Sequence, residues 1–139
     1  VAEHAERFAV MFDQIIKGNV PLTFNCSAGK DRTGIAAALL LTALDVPRET
    51  ILADYAMSEK VVDYMAEFTS TDIPADHPYY FLTQLPKAMV APLMRSDPRY
   101  LQSAFASIEA KHGSVMAFIQ TELGVDDGEL AALRASLLK

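Results

Sequence analysis

One short stretch of the sequence, residues 25–34, holds the residue types that could do chemistry, in the order NCSAGKDRTG. Cys26 is the only cysteine of the chain, and five residues separate it from Arg32. Small residues between the two leave the backbone accessible, so a loop here can turn successive N–H groups toward one concavity. A guanidinium at the end of that loop can hold two anionic oxygens at once. The pattern predicts a binding site for an oxyanion such as a phosphate group.

Cys26 is expected at the base of this anion site. The helix dipole, the loop amides and Arg32 all favour a thiolate, so we expect the pKa of Cys26 to fall from about 8.5 into the range of about 3.5–7.5. The Thr33 hydroxyl can hydrogen-bond the sulfur. A thiolate that faces a bound phosphate ester is a nucleophile, which predicts transfer of the phosphoryl group to sulfur and then hydrolysis.

Three other interpretations of the motif explain less of it. Most free cysteines are small buried hydrophobic residues, but an arginine at this spacing, between strand-like and helix-like segments, favours phosphoryl chemistry. A nucleotide-binding phosphate loop also contains Gly-Lys, but Phe24 stands where its first glycine belongs and Asp31 replaces its Ser or Thr. A rhodanese-like sulfurtransferase also uses a cysteine loop, although Lys-Asp-Arg-Thr-Gly suits phosphate esters better.

Lys30 and Asp31 each allow more than one interpretation. Lys30 is either a solvated charge at the rim of the loop or a source of positive potential for a substrate with several phosphates. Asp31 lies between two cations, so it can pair with Lys30 or cap the following helix. It could also take part in proton transfer, where activation of water as a base is the easier role for an ionised carboxylate.

The composition of the whole chain limits its function class. With 139 residues, 51% of them hydrophobic, the chain is one domain or part of one. A net charge of −6 argues against nucleic acid as a partner, because a phosphate backbone needs a basic face. A single cysteine excludes an internal disulfide framework. The histidines His4, His77 and His112 show no spacing typical of metal ligands, so neither a metal nor another cofactor is expected.

The spacing of apolar residues predicts a mostly helical chain. The expected helices cover residues 2–17, 33–44, 47–57 with an extension to 68 after a break near 58, 98–112, 114–124 and 126–138. The last one begins with a capping box formed by Asp126 and Glu129. Residues 69–78 are expected to form a loop, and residues 79–94 are interrupted by two prolines. The longest apolar run, residues 34–44, is too short to span a bilayer and predicts a buried helix.

Residues 21–25 are the one segment that predicts a β-strand. A single strand leaves its N–H and C=O groups unpaired. Either the segment is not a strand, or its partner strands lie outside this sequence, and the motif that follows favours the second explanation. We therefore expect partner strands from a missing N-terminal half of the domain or from an exchanged chain.

The sequence CSAGKDRTG resembles the signature loop of the protein tyrosine phosphatase superfamily. Its AGKDRTG version is similar to that of the bacterial tyrosine phosphatases that also act on phosphoinositides, and the likeness extends to residues 53–55, 99–101 and 113–114. The resemblance implies an α/β phosphatase fold with a central sheet flanked by helices. The chain, residues 1–139, would be the mostly helical C-terminal part of this single domain, with one strand leading into a phosphate loop at residues 26–32.

The resemblance also implies roles for individual residues. Cys26 and Arg32 are the expected catalytic residues, and Asp31 joins them because the upstream loop that often carries a catalytic Asp is not in this sequence. The expected phosphate-binding residues are Ser27, Ala28, Gly29, Lys30, Asp31, Arg32 and Thr33. Asn25 stands where the family usually has His, which predicts a less acidic Cys26 than in relatives, because Asn cannot be a cation.

The aromatic and Met residues between positions 64 and 94 allow two interpretations. The simpler one is that they belong to the hydrophobic core; the resemblance adds a helical lid over the active site, covering residues 58–94. These residues are Tyr64, Met65, Phe68, Tyr79, Tyr80, Phe81, Met89 and Met94.

Two function classes follow. One is a cysteine-dependent phosphatase acting on phosphotyrosine proteins, with phosphoinositides as an alternative substrate, in the cytoplasm of a bacterium or secreted by it. The other is a non-catalytic phosphate-binding module, expected if the missing half and Asn25 leave the chain inactive. Hydrolysis of a small aryl phosphate distinguishes the two.

Overall fold

The computed structural model of the protein describes residues 2–138. Over this range the chain forms nine α-helices and no β-strand. The helices are α1 (Ala5–Ile16), α2 (Asp31–Ala43), α3 (Arg48–Val61), α4 (Tyr64–Ser70), α5 (Tyr80–Thr83), α6 (Lys87–Val90), α7 (Pro98–His112), α8 (Val115–Thr121) and α9 (Asp127–Leu137). Short 3-10 helices lie at Ala2–His4 and Ala91–Met94. No helix among the described residues is long and apolar enough to cross a membrane.

Helix α2 lies in the middle of the hydrophobic core. It packs against α3, α7 and α8, while α1 packs against α9. Its Ala38, Leu39 and Ala43 are almost completely buried, and such small side chains let neighbouring helices approach closely. The large, fully buried side chains around it are Phe12, Leu101, Phe105, Phe118, Ile119 and Leu133. The predicted buried helix is therefore confirmed, and the core fixes the helix into which the Cys26 segment leads.

The helix ends agree with the predicted capping signals, with small shifts. Helix α2 begins at Asp31, two residues earlier than predicted, so Arg32 and Thr33 lie in its first turn. The expected break comes at Val62 and Asp63 rather than near Ser58, and the Asp63 carboxylate caps α4 by accepting a hydrogen bond from the Ala66 amide. The capping box at the start of α9 is confirmed.

The predicted strand at residues 21–25 is not present in the described part of the chain. These residues are neither helical nor paired in a sheet, and residues 22–26 have no regular secondary structure. A strand exists only through hydrogen bonds to a neighbouring strand, and residues 2–138 offer none. What the structure shows is a helical assembly, consistent with the helical part of a phosphatase domain, and the central sheet stays a prediction.

The core interpretation of the aromatic and Met residues is wrong. We call residues 64–94 the outer segment. None of the eight side chains concerned is among the buried residues, and Phe81 and Met89 are 59% and 61% exposed. The segment forms short helices, three of them only four residues long, since Pro86 and Pro92 interrupt longer ones.

Candidate active site

The cysteine loop, which we define as residues 26–32, turns from the extended segment into α2. Its backbone has a positive φ of +67° at Gly29, a conformation that side chains rarely adopt. A Cβ at this position would meet no atom within 4 Å, so the backbone conformation and not lack of space requires the glycine. Interactions with the amides of Ala28, Gly29 and Thr33 lower the pKa of Cys26, so the loop turns these backbone N–H groups toward the sulfur.

These contacts determine the acidity of Cys26. Partial burial raises the pKa of the thiol, but interactions with the Thr33 hydroxyl and with the three amides outweigh it and lower the pKa to about 7. These local interactions lower the pKa of Cys26. The charge of Arg32, which the sequence suggested as a further cause, is not among the main ones. Near neutral pH, a large fraction of Cys26 is therefore the nucleophilic thiolate.

The Thr33 hydroxyl interacts with the Cys26 sulfur. It is buried and has no partner of ordinary hydrogen-bond geometry among residues 2–138, yet its interaction with the sulfur lowers the pKa of Cys26. An anionic sulfur is a better acceptor than a thiol. Ionisation of Cys26 would therefore give this hydroxyl the partner that it otherwise lacks.

Arg32 lies in the first turn of α2 and faces the same space as Cys26. Its Nη2 donates a hydrogen bond to the Ser27 hydroxyl over 3.0 Å. No carboxylate within residues 2–138 forms an ion pair with it. Its positive charge is consequently available to an anion in the loop.

Lys30 is not the solvated rim residue that one interpretation expected. It is only 3% exposed. Its Nζ donates to both carboxylate oxygens of Asp31, over 2.7 and 2.8 Å, and to the backbone carbonyl of Arg95 over 3.1 Å. An ammonium group has three N–H donors, so the three acceptors use all of them.

Asp31 is the acceptor of the Lys30 ammonium and is itself 54% exposed at its side chain. Its charge, after the larger effect of burial, helps to raise the pKa of the nearby Tyr55 to about 12, so this phenol stays protonated. The Tyr55 ring packs directly on the first turn of α2, where a Cβ at Gly34 would lie 2.6 Å from it. The family likeness covered Tyr55 within residues 53–55 but gave it no role; the signal for this contact was a glycine inside a helical pattern.

A cavity of about 420 Å³ opens above the loop. Cys26 and Arg32 lie in it together with Ser27, Ala28, Lys30 and Asp31. The outer segment and the residues near it supply the opposite side, through Tyr64, Glu67, Phe68, Thr71, Ile73, Tyr79, Leu82, Leu93 and Met94. The Tyr79 hydroxyl donates a hydrogen bond to the Ser27 hydroxyl over 3.3 Å. No feature of the motif predicted this contact.

Asn25 lies beside the loop without touching the sulfur. Its side-chain amide donates a long hydrogen bond, 3.5 Å, to the Cys26 carbonyl. Together with His4, Arg7 and Phe24 it lines a second cavity of about 330 Å³, which Cys26 and Arg32 also border. No group of three or more potential metal ligands occurs among residues 2–138.

Comparison with known proteins agrees with this geometry. The sequence profile described as the tyrosine phosphatase family matches residues 1–139. A Cupriavidus necator protein named as a candidate tyrosine-protein phosphatase is 37% identical over 119 residues, which cover 86% of this chain and 41% of the relative. A tyrosine-protein phosphatase of Nostoc commune is 31% identical over 114 residues, 81% of this chain and 34% of the relative.

A more distant relative is the triple specificity protein phosphatase of Mycobacterium tuberculosis, 25% identical over 126 residues, which cover 85% of this chain and 44% of the relative. The chain thus spans less than half the length of these curated relatives. No solved structure was found to match it. Because the family profile matches its whole length, the chain belongs to the tyrosine phosphatase family.

Proposed function

We propose that the protein is a cysteine-dependent phosphatase that hydrolyses phosphate monoesters, with protein phosphotyrosine as substrate. The observation that carries this proposal is the Cys26 thiol, whose pKa is lowered to about 7 in a loop of N–H groups. Arg32, which forms no ion pair within residues 2–138, lies in the same cavity. A nucleophile and an oxyanion ligand on one loop are the two groups that phosphoryl transfer to sulfur requires.

The proposed reaction has two steps. The Cys26 thiolate attacks phosphorus, a P–S bond forms, and the ester P–O bond breaks to release the alcohol or phenol after protonation. Water then attacks the phosphocysteine, the P–S bond breaks, and phosphate and the thiolate are released. Arg32 and the amides of residues 27–33 would hold the phosphoryl oxygens in both steps, and the Thr33 hydroxyl would stabilise the leaving thiolate in the second.

Asp31 is proposed as the group that activates water in the second step. Asp31 and Glu67 both line the cavity, and Asp31 is the one that lies on the loop itself. The Lys30 ammonium donates to both of its oxygens and so favours the charged carboxylate, which has no proton to supply but can accept one from water. Asp31→Asn should reduce turnover by about 10²–10⁴ and alter the pH profile. Asp45→Asn is the matched control, because Asp45 is another exposed aspartate paired with a cation, Arg134, away from the loop.

The side of the cavity opposite the loop favours an aromatic ester over a phosphoinositide head group. Tyr64, Phe68 and Tyr79 line it and could contact a phenyl ring. Lys30, the cation that the sequence suggested for a substrate with several phosphates, has its donors occupied within the protein. Phosphoinositide hydrolysis is therefore the second candidate rather than the first.

The active unit is proposed to include strands that pair with residues 21–25. Support comes from residues 22–26, which have no regular secondary structure in the described chain, from exposed Val20 and Leu22, and from the greater length of the relatives. If so, the amides of residues 22–25 should exchange hydrogen more slowly in a protein that carries these strands than in this chain alone.

The function is tested with an aryl phosphate and intact-protein mass spectrometry. The wild-type protein that carries the pairing strands should release phosphate and, after rapid quenching, carry one phosphoryl group on Cys26. Cys26→Ser should abolish both signals and still bind a phosphate analogue, since the serine hydroxyl is not ionised at neutral pH. Turnover in Cys26→Ser would contradict the mechanism. A wild-type chain that binds phosphate and hydrolyses nothing would be the non-catalytic binding module.

A further inference from the structure

The contacts of Lys30 continue into a chain of polar groups that ends on α3. Lys30 is buried, and besides Asp31 its ammonium group binds the backbone carbonyl of Arg95. This carbonyl lies directly after the 3-10 helix at Ala91–Met94, at the end of the outer segment. A shift of the Arg95 carbonyl would therefore remove one of the three hydrogen bonds that hold the Lys30 ammonium at the loop.

Glu59 holds this part of the backbone in place from the other side. One of its carboxylate oxygens accepts a hydrogen bond from Arg95 Nε over 3.0 Å, and the other accepts one from the Ser96 amide over 3.2 Å. The side chain of residue 95 and the backbone of residue 96 are thus fixed by the same carboxylate, and the carbonyl between them is the one that Lys30 binds. Glu59 itself lies on α3, which packs against α2.

We infer that Glu59 is a positioning residue for Asp31, acting through Arg95 and Lys30. Glu59 fixes the Arg95 carbonyl, this carbonyl directs the Lys30 ammonium, and the ammonium holds both oxygens of Asp31. The inference rests on the proposed function, in which Asp31 activates water. It assigns Lys30 to the support of Asp31 and not to the binding of a second phosphate group.

Another ion pair of the same type provides a matched comparison. Arg48 and Glu109 connect α3 to α7, much as Arg95 and Glu59 connect the end of the outer segment to α3. Neither Arg48 nor Glu109 contacts Lys30, Asp31 or the loop through a hydrogen bond in the described residues. Loss of an exposed ion pair alone has little effect on stability. A difference in activity between replacement of Glu59 and replacement of Glu109 would therefore come from the link between Glu59 and the loop.

The kinetic test compares Glu59→Ala, Glu109→Ala, Asp31→Asn and the double variant Glu59→Ala/Asp31→Asn, with an aryl phosphate as substrate. Glu59→Ala should lower kcat about three- to tenfold with little change in KM, the scale of one charge-assisted hydrogen bond. Glu109→Ala should not change kcat. Because Glu59 acts through Asp31, the double variant should be no slower than Asp31→Asn alone. Effects that multiply, or an unchanged kcat in Glu59→Ala, would overturn the inference.

A second measurement does not depend on activity, so it separates failure of this inference from failure of the proposed function. The rate of lysine acetylation by an amine-reactive ester is followed by mass spectrometry, with exposed Lys111 as the internal reference. Lys30 should be protected in the wild type and in Glu109→Ala, and it should react about fivefold faster or more in Glu59→Ala as its hydrogen bonds loosen. Equal reactivity of Lys30 in Glu59→Ala and Glu109→Ala would contradict the role of Glu59, whether or not the chain hydrolyses phosphate esters.

Discussion

The two sides of the main cavity are built in different ways. The loop side ends in α2, which packs against α3, α7 and α8 and buries Ala36, Ala38, Leu39 and Ala43. The opposite side is the outer segment, made of short helices whose side chains are mostly exposed, with Val90 its one residue that is clearly buried. Helix α4 contacts the 3-10 helix at Ala91–Met94, so this segment packs largely on itself.

This difference separates two tasks. The atoms proposed to do chemistry are held by a rigid core, which fixes their distances. The atoms proposed to contact the rest of the substrate lie on a segment with few buried contacts, where local opening costs little free energy. Variants on the loop side should therefore change turnover or folding, and variants on the outer segment should change substrate affinity.

The largest expected effect comes from the loop side. Arg32→Lys keeps a positive charge but removes the planar fork that can bind two phosphoryl oxygens. We expect kcat for an aryl phosphate to fall by about 10²–10³, as for loss of a donor to a developing oxyanion. Near wild-type turnover in Arg32→Lys would show that a point charge is sufficient. It would contradict the role of Arg32 as a ligand for two phosphoryl oxygens.

The second comparison concerns stability, measured by urea unfolding. Leu39→Ala leaves a cavity in the core beneath the loop and should lower the free energy of unfolding by about 2–5 kcal/mol. Leu93→Ala, on the outer segment, removes a side chain that is largely exposed, and its effect should stay within about 0.5 kcal/mol. Similar losses for both variants would contradict the division into a rigid side and a loosely packed side.

The smallest expected effect concerns Tyr79, the residue that joins the two sides. Tyr79→Phe removes the hydroxyl that lies 3.3 Å from Ser27 and keeps the ring. We expect KM for an aryl phosphate to change by about two- to fivefold, with kcat nearly unchanged. Tyr100→Phe is the control, because the Tyr100 hydroxyl donates to the Pro92 carbonyl and does not line the cavity. A change in kcat alone would contradict this prediction and would show that the Tyr79 hydroxyl acts on the reacting groups.

Local signals in the sequence were sufficient for most helices and for the loop. Pro98 after Asp97, Ser114, and the pair Asp126 and Glu129 mark helix starts through hydrogen bonds within a few residues, and all three starts are where predicted. The turn from the Cys26 segment into α2 was also predicted, because consecutive residues form it; binding of an anion there stays a prediction. Family membership followed from the same residues.

Features that depend on distant residues could not be predicted in this way. The aromatic residues of the outer segment have a composition typical of a core, and only the tertiary structure shows that they are half-buried or exposed. The contact of Lys30 with the Arg95 carbonyl joins residues 65 positions apart, and so no local pattern indicates it. The prediction of a strand at residues 21–25 was wrong for the described chain for a related reason. A strand needs a neighbouring strand to pair with, and the described residues contain none.

The most direct test of the central claim, that the loop itself activates Cys26, is the pH dependence of Cys26 alkylation by iodoacetamide in the wild type and in Thr33→Val. Because only the thiolate reacts, the rate should rise with pH and reach half its maximum near pH 7 in the wild type, where the pKa is lowered to about 7. Thr33→Val keeps the shape of the side chain and removes its hydroxyl, so the midpoint should move to higher pH. A wild-type midpoint at the ordinary thiol value of about 8.5, unchanged in Thr33→Val, would contradict the account.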